Sequence, residues 1–268
     1  MLIKLFLALS GISPQIKKLL WRRWYQFLAG HYQTKDWAFM NYGYAPPDPC
    51  EMVKLEAADE PNRYFIQLYH RVASAVDLKD LNVLEVGSGR GGGASYVKRY
   101  LKPERLTGID YSDKAVQFCQ HTHEVDGLFF VKGDAESLSF DAGRFDVVIN
   151  IESSHCYGSM ETFLANVKRV LRHGGYFLYA DFLNTNGVAL LQRQMEQSGM
   201  TIVKREDITA NIVRSLDVEN EKKLLLIKAL FPNWLIRPFQ EFAGVQGSKI
   251  YSGFQNGTLI YLHYVLQK

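Results

Sequence analysis

The chain has 268 residues, enough to bury a full core, and its 47% hydrophobic and 22% charged residues are those of an ordinary globular protein. That composition excludes disordered, collagenous and coiled-coil readings, and no apolar run reaches the roughly 18 residues that span a bilayer. The net charge of +3 is unevenly placed, because residues 1–35 hold six basic side chains and no acid, leaving 25 basic against 28 acidic residues in the rest.

In chain order, Ile16, Leu19, Leu20, Trp24, Phe27 and Leu28 recur at helical spacing, with Lys17, Lys18 and Arg22 off the stripe. This basic, aromatic segment is expected to act as a lid, to pack in a dimer, or to make weak peripheral contact with an anionic membrane surface through residues 1–30. The first residues, MLIKLFLALS, have too short an apolar stretch and no small-x-small site, so a cytoplasmic protein is expected rather than a secreted one. NYGYAPPDP, residues 41–49, is a turn-rich connector, and a helix is predicted over Asn62–Val76.

The middle of the chain alternates short apolar strands with helices. Strands are predicted at Asn82–Val86, Arg105–Ile109, Leu128–Lys132, Phe145–Asn150 and Tyr176–Ala180, with Met200–Arg205 and Leu259–Leu266 as the last two. Such alternation predicts a Rossmann-like, doubly wound, mainly parallel α/β sheet of seven strands. About fifty residues separate the last two strands, and their helical pattern, with KKLLLIKALF at 222–231, predicts a cap inserted at about 207–257. The expected division is a helical amino-terminal lid or substrate segment, 1–75, and a ligand-binding domain, 76–268.

Two constellations carry chemistry. The first is VLEVGSGRGGGASY, residues 83–96, in which a strand runs into a glycine-rich turn that opens a helix. Gly87, Gly89 and Gly92 satisfy the G-x-G-x-x-G dinucleotide fingerprint, a weak match alone. Glu85, two residues before Gly87, would repel a pyrophosphate and attract an ammonium or sulfonium. Asp110, at the end of TGID and followed by Tyr111, is placed to accept ribose hydroxyls. Gly133-Asp134-Ala135-Glu136 closes the third strand, with Asp134 placed to accept from an adenine amino group. Open sheets bind ligands at these carboxyl ends, although acids there also serve simply as solvating groups.

The second constellation is NIESSHCY, residues 150–157, after the fourth strand. His155 in that loop and Asp181 after the fifth strand return to the same sheet edge 26 residues apart, as a general base and its orienting carboxylate. The competing reading is a histidine satisfied locally. His121 and His123 lack a third ligand partner and Cys50, Cys119 and Cys156 form no C-x-x-C pair, so no metal and no disulfide framework are expected. No basic stripe interrupts the body of the chain, so no nucleic-acid partner is expected.

The ordered set E-V-G-S-G, G-I-D, G-D-A, FDVV and LRHGG resembles the S-adenosylmethionine site of class I methyltransferases. The resemblance implies that Glu85, Gly87, Ser88, Gly89, Asp110, Tyr111, Asp134, Ala135 and Glu136 bind S-adenosyl-L-methionine, with S-adenosyl-L-homocysteine as product. Beyond the class, GRGGGASY, FVKGDAESLSFD, ESSHCY, RVLRHGGYFLYADF and EFAGVQGS are similar to the phthiotriol/phenolphthiotriol dimycocerosate methyltransferase family and its fatty-acid O-methyltransferase relatives. ESSH and ADF also resemble rebeccamycin-type sugar O-methyltransferases, which implies catalytic roles for His155 and Asp181. The glycine loop, E-V-G-S-G-R-G-G-G, departs from the dimycocerosate enzymes' E-V-S-C-G-H-G-G-G toward the generic methyltransferase pattern.

What the resemblances imply is O-methylation of a hydroxyl on a small lipophilic or polyketide-like acceptor, by a monomer or homodimer. The alternatives are a fatty-acid carboxyl O-methyltransferase and a cyclase-like protein that binds S-adenosylmethionine without transferring methyl. A nicotinamide oxidoreductase is the weakest alternative.

Overall fold

The computed structural model describes residues 37–268, so the expectations for residues 1–30 lie outside the described residues. Seven strands form one sheet in the order β3-β2-β1-β4-β5-β7-β6. They are β1 (Asn82–Val86), β2 (Arg105–Asp110), β3 (Leu128–Lys132), β4 (Phe145–Ile151), β5 (Leu171–Asn184), β6 (Thr201–Asp207) and β7 (Leu259–Gln267). The first five run parallel, while β7 inserts antiparallel between β5 and β6. This is the doubly wound, mainly parallel sheet expected from the alternation of strands and helices.

Val83, Leu84 and Val86 are all buried, as a strand covered on both faces requires. Alternate residues feed two clusters. Val147, Ile149 and Ile151 join one, with α1 (Arg63–Ala73) contributing Ile66, Leu68 and Val72. Val148 joins the other, with Phe163, Leu164 and Val167 of α4 (Met160–Val170). Between these helices in sequence lie α2 (Gly92–Tyr96) and α3 (Asp113–Thr122), and α5 (Val188–Gln197) follows β5.

Three helices, α6 (Thr209–Leu230), α7 (Asn233–Phe242) and α8 (Lys249–Gln255), fill the stretch between β6 and β7. Ile227, Phe231, Leu235, Phe239 and Val245 form a third, separate cluster between α6 and α7. Among the described residues no helix is long and apolar enough to cross a membrane.

One local expectation needs correction. The fifth strand does not end at Ala180: β5 continues to Asn184, because β7 pairs with it through Asn184↔Leu259, beyond the last β4 pair, Ile151↔Ala180. Asp181 therefore lies within a strand rather than after one. The connector carries buried side chains, Tyr42, Tyr44 and Ala45. Tyr44 N–H donates to Tyr64 O at 2.9 Å and Ala45 N–H to Asn211 O at 3.1 Å, so α1 and α6 satisfy its backbone.

Candidate active site

The sheet order reverses between β1 and β4, and an open sheet forms its ligand crevice at such a point. Asn150, at the end of β4, fastens the two strands by donating to Val86 O at 2.8 Å and to the Tyr157 hydroxyl at 2.9 Å. Both constellations meet there. Gly87 takes φ +80°, and a Cβ on it would lie 1.9 Å from Ser153 Oγ, so the glycine turn and the 152–157 loop touch only because that side chain is absent.

Around the turn, Gly87 and Ser88 N–H groups donate to Ile109 O, each at 2.9 Å. Gly89 N–H donates to Asp110 Oδ2 at 2.9 Å, and Ser112 N–H to Asp110 Oδ1 at 2.8 Å. Burial nevertheless pushes the Asp110 carboxyl up to about 6, against these bonds and one from the Tyr111 backbone. Glu85, 2% exposed, accepts from the Tyr69 hydroxyl at 2.8 Å. Its second oxygen, Oε2, is buried and has no hydrogen-bond partner, as is Ser88 Oγ. Burial raises Glu85 to about 7, with the Tyr69 bond opposing it.

A buried carboxylate oxygen without a donor, beside a glycine cradle, is what a ligand with an ammonium or hydroxyl group would satisfy. The residues present therefore fit S-adenosylmethionine. Asp134, after β3, accepts from Glu136 N–H through Oδ1 at 3.0 Å. Ala135 is 9% exposed and packs in the second cluster, while Glu136 O accepts from Asn166 at 3.0 Å.

Across the crevice, Asp181 is 1% exposed and engages four donors. His155 Nδ1 donates to Oδ1 at 2.9 Å and Phe182 N–H to the same oxygen at 2.8 Å. Ser154 Oγ and the His155 N–H donate to Oδ2 at 2.6 and 3.0 Å. The sequence-predicted pair is thus brought into direct contact. Burial alone would raise the Asp181 carboxyl, but the charge and hydrogen bonds of His155, with Ser154, hold it below its usual range. Burial likewise disfavours a charged His155, yet Cys156 and Asp181 outweigh it, and its pKa stands well above the ordinary value. Because Nδ1 faces the carboxylate, Nε2 is the nitrogen that accepts a proton in the neutral ring.

Sequence reasoning missed two residues, Glu152 and Lys223. Glu152, in the same loop, holds φ +46°, a left-handed conformation uncommon for a non-glycine. Its Oε1 accepts from Tyr42 N–H at 2.8 Å and the Tyr261 hydroxyl at 3.0 Å, and burial raises its carboxyl to about 8. Tyr42 ties the site to a cavity of about 80 Å³ between segment 37–42, α1, α6 and α7, lined by Phe39, Met40, Phe65, Ile227 and Phe239. Met40 reaches both sides, since a Cβ on Gly89 would lie 2.9 Å from its terminal methyl. Lys223, the second residue, also stands in the cavity wall. His121 and His123 serve locally, meeting the backbone carbonyls of Gln117 and Arg90.

Residues 84–179 match a family model described as a methyltransferase domain. The chain is 41% identical over 263 residues to the phthiotriol/phenolphthiotriol dimycocerosates methyltransferase of Mycobacterium leprae, covering 98% of this chain and 97% of that one. It is 35% identical over 257 residues to a fatty-acid O-methyltransferase of Mycolicibacterium smegmatis, covering 96% and 91%. Among solved structures, the [4+2]-cyclase SpnF superposes with a TM-score of 0.70 at 17% identity, covering 92% of this chain and 94% of that one, which is a likeness of fold alone.

Proposed function

This chain belongs to the phthiotriol/phenolphthiotriol dimycocerosates methyltransferase family of S-adenosylmethionine-dependent methyltransferases, and we propose that it O-methylates a hydroxyl of a lipophilic or polyketide-like acceptor. Its cofactor is S-adenosylmethionine, which when bound supplies an electrophilic methyl group on a sulfonium.

In this reading Glu85 takes the ammonium end, Gly87, Ser88 and Gly89 let the backbone approach, and Asp110 with Tyr111 takes the ribose. Asp134, Ala135 and Glu136 line the adenine side. His155 is the general base: Nε2 takes the hydroxyl proton as the new bond forms, and Asp181 fixes the tautomer and stabilises the imidazolium. Holding the acceptor oxygen in line supplies much of the remaining acceleration. The apolar cavity beside Tyr42 takes the acceptor's chain, with 207–257 as its cap and the segment from Trp37 to Tyr44 as its cover.

The observation that carries the reading is the 2.9 Å contact between His155 Nδ1 and a buried Asp181. An alcohol needs a base to lose its proton, whereas a carboxylate, ionised at neutral pH, does not. Methyl-labelled cofactor should therefore be offered with hydroxylated lipids and with free fatty acids. Label is expected in the hydroxylated acceptors and falls by about 10²–10⁴-fold in His155→Ala. Label entering fatty acids and surviving His155→Ala would make the protein a carboxyl methyltransferase instead.

A further inference from the structure

The cavity wall contains a cation that chain binding does not explain. Lys223, on α6, is 8% exposed. Its ammonium donates to Ala243 O at 3.2 Å and lies 5.7 Å from the Tyr42 ring centre and 5.4 Å from that of Phe65. An ammonium has three N–H donors, and Ala243 uses one. No ion pair forms to it among the described residues; Glu219, one turn earlier, gives its carboxylate to Lys222 at 3.1 Å. Glu219 shares the cavity wall but is engaged by Lys222, and a buried ammonium with no carboxylate in contact is costly, a cost that leucine or methionine in the same wall would not carry.

We propose that Lys223 binds a carboxylate carried by the acceptor itself, remote from the oxygen that is methylated. The inference rests on the cavity being the acceptor's site. Tyr42 stands between the two polar points: one contact is the Lys223 ammonium, and another is Phe182, 5.3 Å away, whose ring lies 4.7 Å from that of His155. Electrostatics sorts the acceptor's two ends. A carboxylate beside His155 would meet the buried, ionised Asp181, whereas the far end of the cavity sets two cations, Lys222 and Lys223, against one acid, Glu219. The acceptor class is accordingly an acidic lipid with its hydroxyl several carbons from the carboxylate.

Lys223 is charged at neutral pH. Burial lowers it to about 8, Glu152 and Glu219 oppose that fall, and Lys222 adds to it. Those groups come from the β4 loop and from α6 itself, and Tyr42 and Phe65 present only ring faces.

The test reads binding, not turnover. A saturated fatty acid and its methyl ester are titrated calorimetrically into the full-length protein at pH 7. The wild type is expected to bind the acid at least about tenfold more tightly than the ester. Lys223→Met should erase that preference while leaving ester binding and thermal stability close to wild type, and Lys223→Arg should keep it. Repeating the wild-type titration at pH 9 should weaken the preference as the ammonium deprotonates. A wild type without preference, a Lys223→Met variant that keeps it, or an equal loss for acid and ester would each overturn the proposal. Failure of the hydroxyl-methylation reading would appear separately, in the labelling of hydroxylated acceptors.

Discussion

His155 combines two demands that pull in opposite directions. As a base it must be neutral, yet Asp181 and Cys156 raise its pKa well above the ordinary histidine value despite its burial. The rate should therefore climb with pH until the imidazolium is titrated away, with its acid limb well above pH 6.5. Asp181→Asn removes the charge that holds the proton and the acceptor that fixes the tautomer. The limb in Asp181→Asn should shift toward lower pH, while the plateau rate falls by about 10²–10⁴-fold. A pH–rate profile of both proteins decides this, and an unshifted limb would remove Asp181 from the titration. Glu85, Asp110 and His155 were legible in the sequence because each sits in or beside a strand-end turn whose residues are contiguous. Glu152 was not singled out, although it lies in the same motif. Its role depends on Tyr42 and Tyr261, 110 and 109 residues away, and on a left-handed backbone that no neighbouring glycine signals.

Among elements, the sheet was the easiest to read and the cap the hardest. Parallel strands advertise themselves as short apolar runs, so β1 and β3 match their expected bounds. The end of β5 did not, because the charge of Asp181 ends the apolar run while β7 continues to supply backbone hydrogen bonds. The helical character of 207–257 was visible, but not that α6 and α7 would build a small core of their own. There Phe231 and Phe239 stack with ring centres 3.5 Å apart, and the Trp37 ring meets both edge-on. Because this cluster is separate from the two under the sheet, damage to it should stay local. Phe239→Ala, which typically costs about 3–5 kcal/mol in a well-packed core, should here loosen the cavity wall rather than unfold the sheet. The acceptor KM should rise about tenfold or more with cofactor affinity unchanged. Steady-state kinetics together with cofactor titration tests this, and a parallel loss of cofactor binding would show that the cap and sheet act as one unit.

For the whole molecule, the site imposes a pH dependence on stability. Burial raises Asp110 to about 6, Glu85 to about 7 and Glu152 to about 8, all above ordinary carboxyl values. Between those ordinary values and the raised ones, the folded chain binds more protons than the unfolded chain. Stability contributed by these groups is then fully present below about pH 4 and is lost as pH rises through about 6 to 8. Acid titration of exposed carboxylates elsewhere acts on the same curve, so the groups are best separated by substitution. Glu152→Gln keeps an acceptor for Tyr42 N–H and Tyr261 but cannot ionise. Its melting temperature should match the wild type at pH 5 and exceed it at pH 8. An equal difference at both pH values would place the effect of Glu152 in packing rather than ionisation. In the proposed cofactor site Glu85 and Asp110 take a cationic ligand, and a cation there lowers their pKa values. Proton release on binding follows by linkage, so cofactor affinity should strengthen from pH 5 to pH 8 as the empty protein weakens. The fold thus carries its least stable charges where a positively charged ligand offsets them.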